Sequence, residues 1–336
     1  MINNNLIFKN SIQIKKSHNV DYKKLSKKFD KIYLDIKSDV KKENRTLNIL
    51  DKDYKFSFKV KDLQKFKQYK SIAIIGMGGS ILGAEAIYDF FQNKIKKNIF
   101  FFNNINENKI TEFKKKEKLN KILFIVVSKS GNTIETISNL FTLNILKKKA
   151  RNIIIITEKK NSTLFLLAKK FKLFYVEHKS YIGGRYSVLS EVGMLPAYLM
   201  GINILKFRSK IFNCLKKKNK NFLKESTIKI ANLLNSKNYN NLIFLSYFPE
   251  LKKFLYWGQQ LIAESLGKKN KGFLPVISIA PKDHHSLLQL YLDGPKDKLF
   301  NIFSSEKDSN EKVRIKKYFS YNNFLNNKTL SKIKIS

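Results

Sequence analysis

From Ser71 onward, short and wholly apolar runs alternate with segments of helical periodicity. The order is SIAIIG then ILGAEAIYDFF, NIFFFN then a polar helix, KILFIVVS then TIETISNLFTLNILKKK, NIIIIT then STLFLLAKKF, and finally LFYVE. Strands that are apolar on both faces must be covered on both faces, and strands separated by helices run parallel. This rhythm therefore confines the region to a doubly wound sheet between two helical layers, ending near Gly201. A shorter series follows a Lys- and Asn-rich link: strand NLIFLSYF, helix FLYWGQQLIAESLG, strand LPVISIA, helix HHSLLQLYL and strand LFNIFSS. The expected fold class is α/β, with two doubly wound α/β/α units built on mainly parallel sheets. An N-terminal helical extension (1–65), whose stretch DYKKLSKKFDKIYLDIKSDV has amphipathic spacing, precedes a first α/β domain (66–205). A linker helix region (206–238) and a second α/β domain (239–336) complete the division, the second being incomplete at its C-terminal end.

The net charge of +40 would suit a polyanion if the cations were clustered. They are not clustered: only five of the 66 basic residues are Arg, and the lysines are spread along the chain among many Asn, Ile and Phe. These residue types share A/T-rich codons, so genomic drift accounts for the composition and no specific nucleic-acid partner is expected. Cys214 is the single cysteine, which excludes an internal disulfide, and four His residues without a spaced Cys/His cluster give no zinc motif. No metal or other cofactor is expected. No run approaches a membrane span, and MINNNLIFKNSIQIKK lacks the apolar core of a signal peptide, so a cytoplasmic location is expected.

Ligands of an open parallel sheet bind beyond the carboxyl ends of its strands. Two unusual turns fall there. In IIGMGGSILG, Gly76, Gly78 and Gly79 let the backbone approach an anion, and Ser80 offers a hydroxyl at a helix start. A tight strand-to-helix turn, or a dinucleotide turn, would explain this stretch equally well. In SKSGNTIET, Ser128, Ser130 and Thr133 bring three hydroxyls beside Lys129, and Gly131 permits the turn. One hydroxyl is an ordinary helix cap. Three at the end of a buried strand exceed what capping needs and favour a phosphate ligand.

GMGGSILG followed by SKSGNTIET resembles the paired signatures of sugar isomerase domains, which bind phosphosugars. Further on, IGGRYSVLSEVGMLP, QQLIAESLGKKNKGFLP and DHHSLLQLYLDGP resemble, in order, the motifs of the glucose-6-phosphate isomerase family, over residues from about 70 to 325. The resemblance implies that both α/β units are sugar isomerase domains. It also implies that Gly79, Ser80, Ser128, Lys129, Ser130 and Thr133 bind the substrate phosphate, Lys129 through its backbone. Asn132 stands where relatives often carry Thr, and its amide could donate a hydrogen bond in place of the hydroxyl.

The same resemblance gives catalytic roles to Arg185, Glu264 and His285. A guanidinium stays charged and can stabilise an enediolate. The alternative for Arg185 is a structural pair with an acid such as Glu191. Glu264 would be the base that moves a proton between C2 and C1, in a partly dry site suggested by Ile262, Ala263 and Leu266 around it. A lone helical Glu is otherwise usually solvated. His285, supplied by a neighbouring subunit, would aid ring opening, which implies a homodimer. His284 is its rival, and only the motif register favours His285. The family also uses a lysine in a C-terminal helix that this chain does not reach, so a truncated frame or a completing partner is expected. The implied activity is interconversion of glucose 6-phosphate and fructose 6-phosphate through a cis-enediolate, without metal or redox cofactor. The alternatives are a non-catalytic phosphosugar-binding protein, or an isomerase of mannose or aminosugar phosphates.

Overall fold

The computed structural model describes residues 9, 11–12, 19–209, 211, 215, 217–236, 238–304, 311–314 and 325–335. Cys214 and Ser336 lie outside the described residues. The N-terminal part is the long helix α1 (Asn19–Lys41), a run of short turns and the single-turn helix α2 (Val60–Leu63). Each apolar run from Ser71 then becomes a strand. β1 (Ser71–Ile75), α3 (Leu82–Phe91), β2 (Asn98–Phe102), α4 (Glu107–Lys116), β3 (Ile122–Val127), α5 (Ile134–Thr142), β4 (Ile153–Thr157), α6 (Thr163–Phe171) and β5 (Phe174–Glu177) follow in turn. The five strands are all parallel, in the order β2-β1-β3-β4-β5.

Burial explains why these runs are apolar throughout. Every residue of β3, at the centre, is buried. Alternate side chains serve alternate layers: Leu123, Ile125 and Val127 join Ile72, Ile74, Ile154 and Ile156 on one face. Phe124 and Val126 join Ala73, Ile75, Ile153 and Ile155 on the other, beneath Leu140 of α5 and Leu164 of α6. Full burial of such side chains stabilises the fold by about 1.5–3 kcal/mol each.

The expected helix over residues 133–149 is shorter than its pattern. α5 stops at Thr142 because Asn144 takes a left-handed conformation (φ 52°), which breaks the helix while Leu143 and Ile145 remain buried.

Beyond the sheet lie α7 (Glu191–Leu199), α8 (Ile204–Arg208) and α9 (Lys217–Ser236). The second sheet comprises β6 (Asn241–Ser246), β7 (Leu274–Ile279) and β8 (Lys298–Phe303), parallel and in the order β7-β6-β8. Its helices are α10 (Lys252–Leu266) and α11 (His284–Asp293), and a last short helix, α12, spans Leu330–Ile335. Leu242, Phe244, Leu255, Phe273 and Leu299 form its small core. α10 also packs on α3 of the first sheet. That placement is fixed by Glu85, a nearly fully buried carboxylate on α3, which accepts from Asn103 Nδ2 (2.6 Å) and from Lys253 Nζ of α10 (3.3 Å).

Glu191, fully buried at the start of α7, settles one question left open by the motif that contains it. It does not pair with Arg185. Its carboxylate accepts from the Tyr54 hydroxyl (3.1 Å to each oxygen) and from Ser57 N (2.8 Å), pinning the 54–57 segment to the domain. Arg208 reinforces the junction by donating to Ile49 O, Asp51 O and Leu189 O and by stacking over Tyr54 and Phe56. Burial, with the Glu191 charge beside it, pushes the Tyr54 phenol above its ordinary range, so the hydroxyl remains a donor. Tyr54→Phe leaves a buried carboxylate short of a partner and is expected to lower stability by about 1–3 kcal/mol, read as a drop in the urea midpoint.

Candidate active site

In this strand order the chain reverses direction across the sheet between β1 and β3, and such a reversal opens a crevice beyond the carboxyl ends of the two strands. Both unusual turns emerge into it. After β1 the chain makes one tight turn over Gly78–Ser80 before α3 begins. After β3 comes the hydroxyl-rich turn. The two are in contact: a Cβ on Gly76 would stand 3.0 Å from Val127 O.

Within SKSGNT the three hydroxyls face one another. Ser128 Oγ lies 2.8 Å from Thr133 Oγ1 and 3.4 Å from Ser130 Oγ, and Ser130 Oγ lies 3.3 Å from Thr133 Oγ1. Gly131 N donates to Ser128 Oγ and Asn132 N to Ser130 Oγ. Gly131 has φ +72°, and a Cβ there would come within 2.1 Å of Ser162 Oγ, so the turn requires glycine. Thr133 starts α5 without capping it by its side chain. Its hydroxyl belongs to the cluster instead. Three convergent hydroxyls at the N-terminus of a nine-residue helix suit an anion with several acceptor oxygens.

Asn132 also supports the neighbouring helix. Its side-chain oxygen accepts from Thr163 N (2.8 Å) and so satisfies the first turn of α6. Lys129 turns its side chain away from the cluster: Nζ donates to Ser180 O and Ile182 O, both at 2.8 Å, and stands 3.6 Å from Glu158. This ties the hydroxyl-rich turn to the loop that enters GGRYS.

That loop packs backbone to backbone on the first turn. A Cβ on Gly79 would meet Gly184 O at 2.3 Å and Arg185 N at 2.8 Å. Ser187 Oγ bridges the two by donating to Gly79 O and Gly184 O. Arg185 is held from several sides. Its carbonyl accepts from Trp257 Nε1 (3.0 Å), its Nε donates to Ser265 Oγ (3.0 Å), and its guanidinium stacks on the Tyr186 ring at 4.6 Å. Its Nη1 lies 3.4 Å from Glu264 Oε2. Burial raises the Tyr186 phenol, but its hydrogen bond to Ser265 and the Arg185 charge bring it below its ordinary value overall.

The Glu264 carboxylate also accepts from Gln260 Nε2 at 2.7 Å, one helical turn earlier, and the Gln260 amide abuts Gly78. The expected partly dry setting is not what surrounds it: the side chain is 47% exposed, against 21% for Arg185. α10 packs on the sheet through Leu255, Ile262 and Leu266, leaving Ala263 and Glu264 on the open face. Gln260, Trp257, Ser265 and Ser187 carry the site without having been anticipated. Of these, Gln260 was within reach, because positions four apart share a helix face.

Gly79, Ser80, Arg185 and Glu264 thus gather at one mouth, joined through Lys129 to Ser128, Ser130 and Thr133. His285 stays apart, exposed on α11, whereas His284 is half-buried against Tyr247, 3.2 Å from its hydroxyl. Among the described residues no group of three or more His, Cys, Asp or Glu is placed to share a metal ion.

A crevice of this topology, lined by glycine- and hydroxyl-rich turns, defines the class first: the fold is that of the phosphosugar isomerases. Solved structures with the same architecture include a hypothetical protein from Thermus thermophilus (TM-score 0.74, 24% identity, covering 94% of this chain and 80% of that one). A glucose-6-phosphate isomerase from Chlamydia trachomatis is also similar (TM-score 0.65, 19% identity, 98% of this chain and 60% of that one). The sequence profile of the family described as phosphoglucose isomerase matches residues 9–273. The glucose-6-phosphate isomerase of Methanocaldococcus jannaschii is 34% identical over 261 residues, and that of Campylobacter jejuni 31% over 297 residues. These alignments cover 73% and 84% of this chain, and 63% and 71% of the two relatives. The chain belongs to the phosphoglucose isomerase family. It spans less than two thirds of the length of the Methanocaldococcus protein.

Two measurements test this geometry. Gly79→Ala forces a methyl group into the Gly184 carbonyl and is expected to lower stability by about 1–3 kcal/mol in urea unfolding. His178, buried just before the 180–182 loop, is held below its ordinary value by burial. Its unfolded form takes up a proton that the folded form resists, so stability present above about pH 6.5 falls as the pH drops below it. His178→Gln should make that fall shallower.

Proposed function

We propose that the chain is an aldose-ketose isomerase interconverting D-glucose 6-phosphate and D-fructose 6-phosphate, a step of glycolysis and gluconeogenesis. In this reading Gly79, Ser80, Ser128, Ser130, Thr133 and the backbone at Lys129 seat the phosphoryl group. The open-chain sugar then extends toward α10. Glu264 takes the proton from C2 of the aldose and returns it to C1, through a cis-enediolate whose charge Arg185 stabilises. One carboxylate suffices, because the proton leaves and is returned on one face, and while Glu264 carries it the open site lets it exchange with water. The observation that carries the reading is the meeting of Arg185 and Glu264, 3.4 Å apart, directly above the Gly78–Ser80 turn. A carboxylate held by Arg185 and Gln260 is oriented even though it is open to solvent, and a bound sugar would supply the cover that the chain alone does not.

His285 is assigned to ring opening, supplied to the site of a neighbouring copy in a homodimer. Its exposure supports it over His284, which its own chain holds against Tyr247. A cytoplasmic setting fits the single cysteine and the substrate. Among the described residues no helix is long and apolar enough to cross a membrane.

The experiment follows the proton. With fructose 6-phosphate in deuterated water, the glucose 6-phosphate formed should carry deuterium at C2. Glu264→Gln should reduce turnover by about 10²–10⁴-fold while phosphosugar affinity is retained. Binding without exchange in the unaltered protein would instead identify a non-catalytic phosphosugar-binding protein. Comparison with mannose and aminosugar phosphates settles specificity.

A further inference from the structure

At the amino ends of the strands, on the opposite edge of the first sheet from the turns above, lies a second cavity of about 480 Å³. It is walled by the segment leading into β1, the approach to β4 and the α6–β5 connection. Four of its lining side chains are cations, Lys65, Lys149, Arg151 and Lys172, and no acid lines it. None of the four takes part in an ion pair among the described residues. Phe66 and Phe174 form an apolar floor, their rings edge to face at 5.1 Å, and Lys65 Nζ sits 4.7 Å above the Phe174 ring.

Lysine is abundant in this chain, so a lysine on a surface means little by itself. The concavity and the missing countercharge are what single out this place. Convergent like charges repel, and a concave wall focuses their field instead of letting water disperse it. The backbone also holds two of the lysines here: Lys149 and Lys172 occupy left-handed conformations (φ 59° and 52°). Lys172 stands at the C-terminal cap of α6, a place where glycine is usual. Lys149 N is fixed by Phe171 O at 2.7 Å, which brings the two connections together.

We propose that this cavity binds a compact polyphosphate, a small molecule bearing two or three linked phosphoryl groups. Four cations, unpaired among the described residues, match the charge of such a group more closely than that of a single phosphate. The volume of about 480 Å³ lies in the range of small-molecule sites, about 300–1,000 Å³.

The test is calorimetric titration of the full chain with inorganic tripolyphosphate at about 0.15 M salt, with fructose 6-phosphate saturating. One tripolyphosphate per chain is expected. Lys149→Gln/Arg151→Gln should weaken it by about tenfold, and the equally charged control Lys115→Gln/Lys118→Gln by less than about twofold. Thermal unfolding of both variants verifies that they fold. Equal losses in the two variants would reveal diffuse attraction and overturn the proposal. Complete exclusion by fructose 6-phosphate, or orthophosphate binding as tightly as tripolyphosphate, would overturn it too. So would binding confined to long single-stranded RNA with a steep salt dependence, the mark of a nucleic-acid face.

Discussion

The pairing of β1 directly beside β3 is the constraint on which the site depends. The helices that follow these strands depart to opposite faces, so their first turns are left facing each other across the sheet edge. Were another strand to intervene, Ser80 and the Ser128–Thr133 cluster would belong to separate places. Above this edge, proximity is set by backbone meeting backbone. Gly79 lies against Gly184 O at a distance that no side chain could share, and Gly76 lies against Val127 O with little room for one. Glycine here is a condition of assembly as much as a means of approaching a ligand.

The first sheet was readable because its strands carry their burial in their composition. A run such as ILFIVV has no polar face to offer water, and the parallel arrangement follows from the helices between runs. The end of α5 was less readable, since Asn144 has an ordinary place in a helical pattern until buried Leu143 and Ile145 force the chain to turn. The three hydroxyls after β3 were legible as a group for a similar local reason. A short turn leaves them nowhere to point but toward one another.

What could not be read were the roles decided by distant partners. Lys129 was expected at the ligand through its backbone alone, and nothing nearby told where its ammonium goes: carbonyls more than 50 residues away hold it. Asn132 looked like a substitute donor, and its side-chain oxygen has a second task, completing the first turn of α6. The openness of Glu264 depends on how α10 is clamped to α3 by Glu85 and Lys253, which no pattern within AESLGK reveals. Glu191, a possible mate for Arg185 on paper, is claimed by Tyr54 and Ser57 from the N-terminal part. In each case the residue type was informative and the partner was not.

The inward turn of the Lys129 ammonium, away from the hydroxyls it accompanies, shapes how an anion would be retained. The seat proposed for the phosphoryl group is left with neutral dipoles: hydroxyl groups and the amides that open α5. Dipoles at contact distance are little affected by dissolved ions, while the +40 field of the whole chain is strongly damped by them. Ionic strength would therefore slow the arrival of a sugar phosphate far more than it hastens its departure.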